Sequence, residues 1–262
     1  MTKKNISKNI FWLMILITLT SCRQNTYVRT LDDIKKRGVI TVVTNADFYP
    51  FEYFKADKVV GIDMDISEEI AKDIGVKLEI LEMNFDGVVA AIAYGKSDFV
   101  AAGLTKDEEK ASAIDFSDGY INVSMDVISL SNSGINKLED LKGKKIGTQM
   151  GTTSDKYISK EIKYGYLKNT GAKLIQKKEY LDLLVDLKNN RIHAIALDRF
   201  IAKKLMEKNE GLQFFERANE TYCLAVKRGN YTLLNQINQT LKRLIKENKI
   251  EKFSNAHLDI TP

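Results

Sequence analysis

The sequence predicts an α/β fold in two lobes of similar plan, joined by a hinge of two crossing segments. Three observations carry that prediction. Strand-like and helix-like patterns alternate, and βαβα order argues for a mostly parallel sheet flanked by helices. The alternation restarts halfway: Leu31-Asp32-Asp33-Ile34-Lys35 precedes the first strand, and Leu138-Glu139-Asp140-Leu141-Lys142 precedes a second opening strand. No low-complexity linker separates the two runs, which suits halves facing each other across a cleft.

Taken in order, residues 39–44 (VITVVT) are a short β-branched run and read as a buried strand. Ile62, Ile66, Ile70 and Ile74 recur every fourth residue, giving a helix over 62–74 with one apolar stripe. Residues 77–82 alternate as a strand, 87–94 read as a helix, and 99–102 as another strand. The second run gives a strand at 145–148, a helix from about Ser154, a strand at 173–177, a helix at 180–188, a strand at 193–197 and a helix at 200–207. The strand 222–227 and the helix 231–248 return to the first lobe. The crossings then fall near 123–127 and 219–222. The expected organisation is a leader at 1–21, a tether at 22–30, lobe 1 at 31–123 plus 221–262, and lobe 2 at 124–220.

The leader has a basic start at Lys3, Lys4 and Lys8, then the apolar stretch 10–19, then Thr20-Ser21-Cys22. That is the layout of an export signal. Ten residues are too few to span a bilayer core of about 30 Å as a helix. Leu19-Thr20-Ser21-Cys22 resembles a bacterial lipobox, which implies lipidation at Cys22 and anchoring at the outer face of the cell membrane or in the periplasm. Without the leader's three lysines the net charge falls from +5 to +2. The basic residues are scattered, so nothing points to nucleic acid. Cys223 is then the remaining cysteine; no disulfide framework is expected, and its place in a strand makes it a small buried apolar residue.

Ligands in open α/β sheets bind beyond the carboxyl ends of the strands, so the loops after each strand hold the candidates. Asn45, Asp47 and Phe48 follow the first strand; Gly103 and Thr105 follow Ala102 at the end of another. Gln149, Gly151, Thr152 and Thr153 follow the strand 145–148, and Asp198 follows Leu197. Gly151-Thr152-Thr153-Ser154 opens a helix whose amides favour an anion; a plain N-cap by Thr153 or Ser154 is the simpler alternative. Thr105 and Glu108 fit a capping box opening a helix. The charged run 106–110 that contains it reads as solvated at Lys106 and Glu109. Asp198 can receive an ammonium group or cap the following helix. His193 and His257 lack partners at metal spacing, so no metal or cofactor is expected. No nucleophile motif is present.

Taken together, TNADFYPFEY (44–53), VVGIDMDISEEIAKDIG (59–75), MNFDGVVAAI (83–92), the block from AAGLT to IDFSDGY (101–120), LEDLKGKKIGTQMGTTS (138–154) and IALDRF (195–200) resemble the polar amino-acid-binding family (family 3) of bacterial extracellular solute-binding proteins, the external receptors of ABC importers. The resemblance implies a type II periplasmic-binding-protein fold that closes on one amino acid, acting as a monomer with a membrane permease. Carried over by position, Asn45, Phe48 and Phe85 would frame the ligand's side chain. The Gly103 carbonyl and Thr105 hydroxyl, beside Ala102, would accept from its ammonium, with Asp198 as counter-ion. The Thr152 and Thr153 amides would hold its carboxylate, while Gln149 and Leu197 would choose among side chains.

Two departures stand out. Lys110 replaces the family's usual Arg, keeping the charge but losing the two-point grip. Asn45 stands where an acid is common and Asp107 where a hydroxyl is usual; the neutral Asn45 favours polar, uncharged side chains. Two alternatives exist on the same fold: a dehydratase of cyclic carboxylates, using Asp47 or Asp107 as general acid, and a ligand-sensing domain for a signalling partner.

Overall fold

The computed structural model describes residues 28–106 and 110–258. The leader with Cys22, and Asp107 and Glu108, lie outside the described residues. Among those described, no helix is long and apolar enough to cross a membrane.

The chain opens with α1 (Leu31–Arg37), begun by a capping box in which the Thr30 hydroxyl accepts from the Asp33 amide at 3.3 Å and Asp33 accepts from the Thr30 amide at 2.9 Å. Strand β1 (Val39–Thr44) follows, then a small antiparallel sheet of β2 (Asp47–Phe48), β3 (Glu52–Lys55) and β4 (Lys58–Val60). Next come α2 (Ile62–Ile74), β5 (Lys77–Glu82), α3 (Val88–Ala93) and β6 (Phe99–Thr105). Strand β5 runs parallel to β1, as does β6. The small sheet is too short and too mixed in polarity to show a period of two.

Strand β7 (Ile114–Leu130) leads into the second run: β8 (Lys145–Gln149), α4 (Thr153–Tyr164), β9 (Lys173–Lys177), α5 (Tyr180–Lys188), β10 (Ala194–Asp198) and α6 (Arg199–Lys208). Strands β8, β9 and β10 pair in parallel. Strand β11 (Leu212–Lys227) returns, followed by α7 (Tyr231–Lys246) and α8 (Lys249–Leu258). Hydrogen bonding links eight strands in the order β5-β1-β6-β11-β7-β10-β8-β9. Within this sheet the antiparallel pairs all involve β7 or β11, the two long strands that run from one half to the other. Their central register pairs Glu220 with Val123 and Asn219 with Ser124, inside the two expected crossings.

Each half has its own core. In the first, the stripe Ile62, Ile66, Ile70 and Ile74 is buried against Leu233, Ile237, Leu241 and Leu244 of α7, so the C-terminal helices belong to the first half. In the second, Leu183, Leu187, Ile201 and Leu205 cover one sheet face, and Ile146, Ile158, Leu138 and Leu141 the other. Burying each such side chain contributes about 1.5–3 kcal/mol. Cys223 is buried and free, its thiol pointing at the Leu104 carbonyl at 3.3 Å and pushed up to about 12 by burial.

Candidate functional site

The carboxyl ends of β1, β6, β8 and β10 meet where the halves face each other. One pocket there is lined by Asn45, Phe48, Phe85, Ala102, Gly103, Thr105, Gln149, Thr152, Thr153 and Asp198, with Glu220. Ten of the twelve expected contacts thus converge. The space left among them is about 20 Å³, room for about one water. The walls must part to admit anything larger.

The first half supplies an apolar floor. Phe48 stacks on Phe51, with centroids 5.3 Å apart, and packs at 5.8 Å from Tyr222. Gly103 lies against Phe48 with φ at +54°; a Cβ there would fall 2.2 Å from the ring. Both the left-handed backbone and the close approach require glycine. The Gly103 amide donates to Asp63 Oδ2 at 3.0 Å, and the Tyr120 hydroxyl donates to Asp63 Oδ1. Asp63, the second residue of α2, is buried, which pushes its carboxyl up to about 6 against the pull of those two donors. Beside it Glu52 is buried too and held well above its usual value, first by burial and then by the Asp63 charge.

The second half supplies the polar wall. Thr152, not Thr153 or Ser154, caps α4: its hydroxyl accepts from the Asp155 amide at 3.1 Å. Asp155 ties the loop together by accepting from the Gly151 amide at 3.2 Å, Thr148 at 2.8 Å and Gln176 at 2.8 Å. The Thr152 amide, expected to face a carboxylate, turns back to the Gln149 carbonyl at 3.4 Å. Asp198 begins α6 without making a side-chain cap; its Oδ1 accepts from the Tyr222 hydroxyl instead. Burial pushes Asp198 up to about 6, opposed by the Tyr222 bond, while the Asp126 charge raises it further.

Contacts cross the cleft directly. The hydroxyls of Thr105 and Thr153 pair, and Gln149 Nε2 donates to Asn45 Oδ1 at 3.2 Å. Lys110 Nζ donates to the Gly151 carbonyl at 3.1 Å and lies 5.4 Å over the Phe85 ring. It therefore turns inward, but to the rim, bounding a neighbouring groove rather than the pocket itself. Thr105 ends strand β6 rather than opening a helix, because antiparallel pairing with Tyr222 extends the strand through it. Leu197 is buried in the second core instead of lining the pocket.

Two further groups fall near or within the site. Asp47 stands outside the pocket's lining, its carboxyl pushed up to about 8 by burial and by Glu179 across the cleft, which accepts from Asn84 at 2.6 Å. Sequence reading missed Glu220. The alternation Glu220, Tyr222, Leu224, Val226 was the available signal, since it puts an acid on the inward face of β11. His257 also gained partners, Asp65 at 2.9 Å and Tyr53 at 3.0 Å. Among the described residues no group of three or more His, Cys, Asp or Glu side chains is arranged so that it could hold a metal ion.

Residues 40–259 match the family model described as bacterial extracellular solute-binding proteins, family 3. The chain is 29% identical over 252 residues to the arginine-binding extracellular protein ArtP of Bacillus subtilis, covering 92% of this chain and 95% of that protein. Among solved structures, a mutant of ArgBP from T. maritima superposes with a TM-score of 0.80 at 32% identity, covering 88% of this chain and 99% of that one. An ancestral arginine-binding protein bound to arginine gives 0.78 at 35% identity, covering 84% and 98%.

Proposed function

This chain belongs to the bacterial extracellular solute-binding proteins, family 3, and from that membership we propose how it performs the family's work: capturing a polar amino acid outside the cell and delivering it to an ABC importer. The amino acid lies in the pocket where β1, β6, β8 and β10 end. Its ammonium meets Asp198, Thr105 and the Gly103 carbonyl, and its carboxylate meets the start of α4 with Lys110 at the rim. The direct Thr105–Thr153 and Asn45–Gln149 contacts are what the ligand replaces when it bridges the halves. Phe48 and Phe85 then flank its side chain.

The observation that carries this reading is the convergence of ten residues, from five separate segments of the chain, on one pocket between two halves. The division into lobe 1 (31–123 plus 221–262) and lobe 2 (124–220), with β7 and β11 as the hinge, is supported by the separate cores. Closure about that hinge would create the surface the permease reads. We further propose a monomer, anchored through lipid on Cys22 and without enzymatic activity. Asp47, the acid proposed for a dehydratase, has the raised value of a general acid but lies outside the pocket's lining.

The test is isothermal titration of the purified protein with the twenty amino acids, together with mass spectrometry of whatever it retains after purification. A polar amino acid bound at one site, and lost in Asp198→Ala, is the expected result. Binding that survives Asp198→Ala unchanged would move the site elsewhere. Labelling with radioactive palmitate, present in the wild type and absent in Cys22→Ala, tests the anchor.

A further inference from the structure

Two acids from opposite halves meet across the cleft. Asp47 stands on β2 of the first half, and Glu179 immediately precedes α5 of the second. Asn84, in the turn after β5, donates from Nδ2 to Glu179 Oε1 at 2.6 Å, so the Glu179 side chain reaches the first half. There it comes within hydrogen-bonding reach of the Asp47 carboxyl, and the Tyr180 amide beside it donates to Asp47 as well. Yet Asp47 Oδ2 is buried with no donor among the described residues. Two ionised carboxylates this close repel each other and leave that buried oxygen unmet. One proton held between them removes both costs.

The other charged and titratable groups around Asp47 do not replace that proton. Asp182, in the first turn of α5, adds a third negative charge. The Tyr180 phenol is pushed up by burial and then by the Asp47 and Glu179 charges, so it stays neutral. Tyr53, opposite Asp47 in the small sheet, pairs its hydroxyl with His257 at 3.0 Å. Lys177 binds Asp186 at 3.2 Å, and Lys178 is exposed. Burial first, then the Glu179 hydrogen bond and charge, push Asp47 up to about 8 against the pull of the Tyr180 amide. The pair therefore keeps one proton at pH 7 while the halves are together. With the halves apart, each carboxyl meets water and loses its proton near about pH 4.

Resting on the closure described above, we propose that Asp47 and Glu179 are positioning residues for ligand capture: they latch the two halves through one shared proton, so that closing the cleft takes a proton from solvent and opening returns it. Neither residue lines the pocket, so the latch acts on the closing step and not on the choice of ligand. The sign follows from linkage. The proton is bound more firmly closed than open. Its contribution to closure is complete below the open value and is lost as pH rises through about 8.

Calorimetry with L-arginine and L-glutamine as probes, at pH 7 in buffers of different ionisation enthalpy, counts the protons exchanged on binding. It is run on the whole protein, on Glu179→Gln and on Asp47→Asn. In each variant the amide donates to the remaining carboxylate, so the halves close without a proton. Asp198 and Glu220 also titrate in this range, so the readout is the difference between proteins. The wild type should take up about one proton more than either variant. The affinity of each variant relative to wild type should rise about tenfold or more between pH 6 and 8. A merely structural contact would shift affinity by the same factor at every pH. Equal proton counts, or a relative affinity that stays flat with pH, would overturn the proposal. If neither probe binds, small-angle scattering of the ligand-free protein gives the answer without relying on the function: the wild type should open as pH rises from 6 to 8, and the variants should open less. Identical scattering profiles overturn the latch, whereas a protein that retains no amino acid but shows the shift fails in its function and keeps the latch.

Discussion

Two buried acid clusters, one at the base of the first half and one in the cleft, use the same residue type for opposite ends. Asp98, before β6, is enclosed by cations: Arg29 binds it at 2.7 Å, Arg37 pairs with its other oxygen, and the Thr41 amide donates at 2.8 Å. Asp198 has one hydroxyl donor, and none among the described residues reaches Glu220. With Asp63 and Glu52 nearby, the cleft gathers acids, while Lys110 stays at the rim on the Gly151 carbonyl and Arg199 is held by Asp126. A satisfied buried charge fixes structure; an unsatisfied one holds a place for a charge that arrives with the ligand. The first kind of cluster should respond to mutation through folding and the second through binding.

That contrast can be broken most forcefully at Asp98. Asp98→Ala should lower stability by about 3 kcal/mol, the low end of what breaking a buried pair costs, because Arg29 and Arg37 are 26% and 36% exposed and can turn to water. Thermal unfolding should show the loss while the ligand dissociation constant stays put. A loss of binding without a loss of stability would erase the distinction. Asp198→Ala should do the reverse. Its ligand's ammonium is left unpaired, weakening binding by about thirtyfold or more, while the ligand-free melting temperature holds or rises. Lys110→Ala comes next, at about tenfold in affinity for one charge-assisted contact; an unchanged constant would leave Lys110 as a clasp on Gly151 only.

A further effect is the pH dependence of ligand-free stability. A carboxyl whose native value is raised binds its proton more firmly folded than unfolded. Its contribution is complete below the unfolded value near 4 and is lost as pH rises through about 6 for Asp198 and about 8 for Glu220. Stability should therefore fall across pH 4–8, by no more than about 1.4 kcal/mol per pH unit for each group. Asp198→Asn should make the slope below pH 6 shallower by its own share, leaving that of Glu220, and denaturant titrations at several pH values would show it. A slope left unchanged in Asp198→Asn would assign that share to Asp63, which is pushed into the same range by its own burial.

Much of the architecture was legible because periodicity survives wherever an element has one wet and one dry face. The isoleucine stripe of α2 and the alternation at 77–82 carry that pattern, while the buried strand 39–44 shows as a β-branched run instead. The small sheet β2-β3-β4, the helix α8 and the full length of β7 and β11 did not show it. The long strands change environment along their length, from first core to crossing to second core, and so never repeat one pattern long enough. Thr105 was misplaced for a related reason. Its neighbours fit a local capping rule, but pairing with Tyr222 on a distant strand overrode it.

The site was legible in its parts, and its arrangement was not. Residue types after strand ends named Asn45, Gly103, Thr105, Thr152, Thr153 and Asp198 as candidates. Whether an acid is paired or waiting is a different kind of property. Asp98 and Asp198 both border apolar strands and look alike in the chain, yet two arginines some sixty residues or more away neutralise only the first. Glu220 became a candidate only when antiparallel pairing brought β11 beside the ends of β6 and β10. The sequence by itself determined which segments form strands and helices and which side chains are offered, because those depend on short-range periodicity and backbone chemistry. The tertiary structure alone decided which charges meet a partner, because Coulomb energy and desolvation depend on distance and burial in space, and the chain's order carries neither.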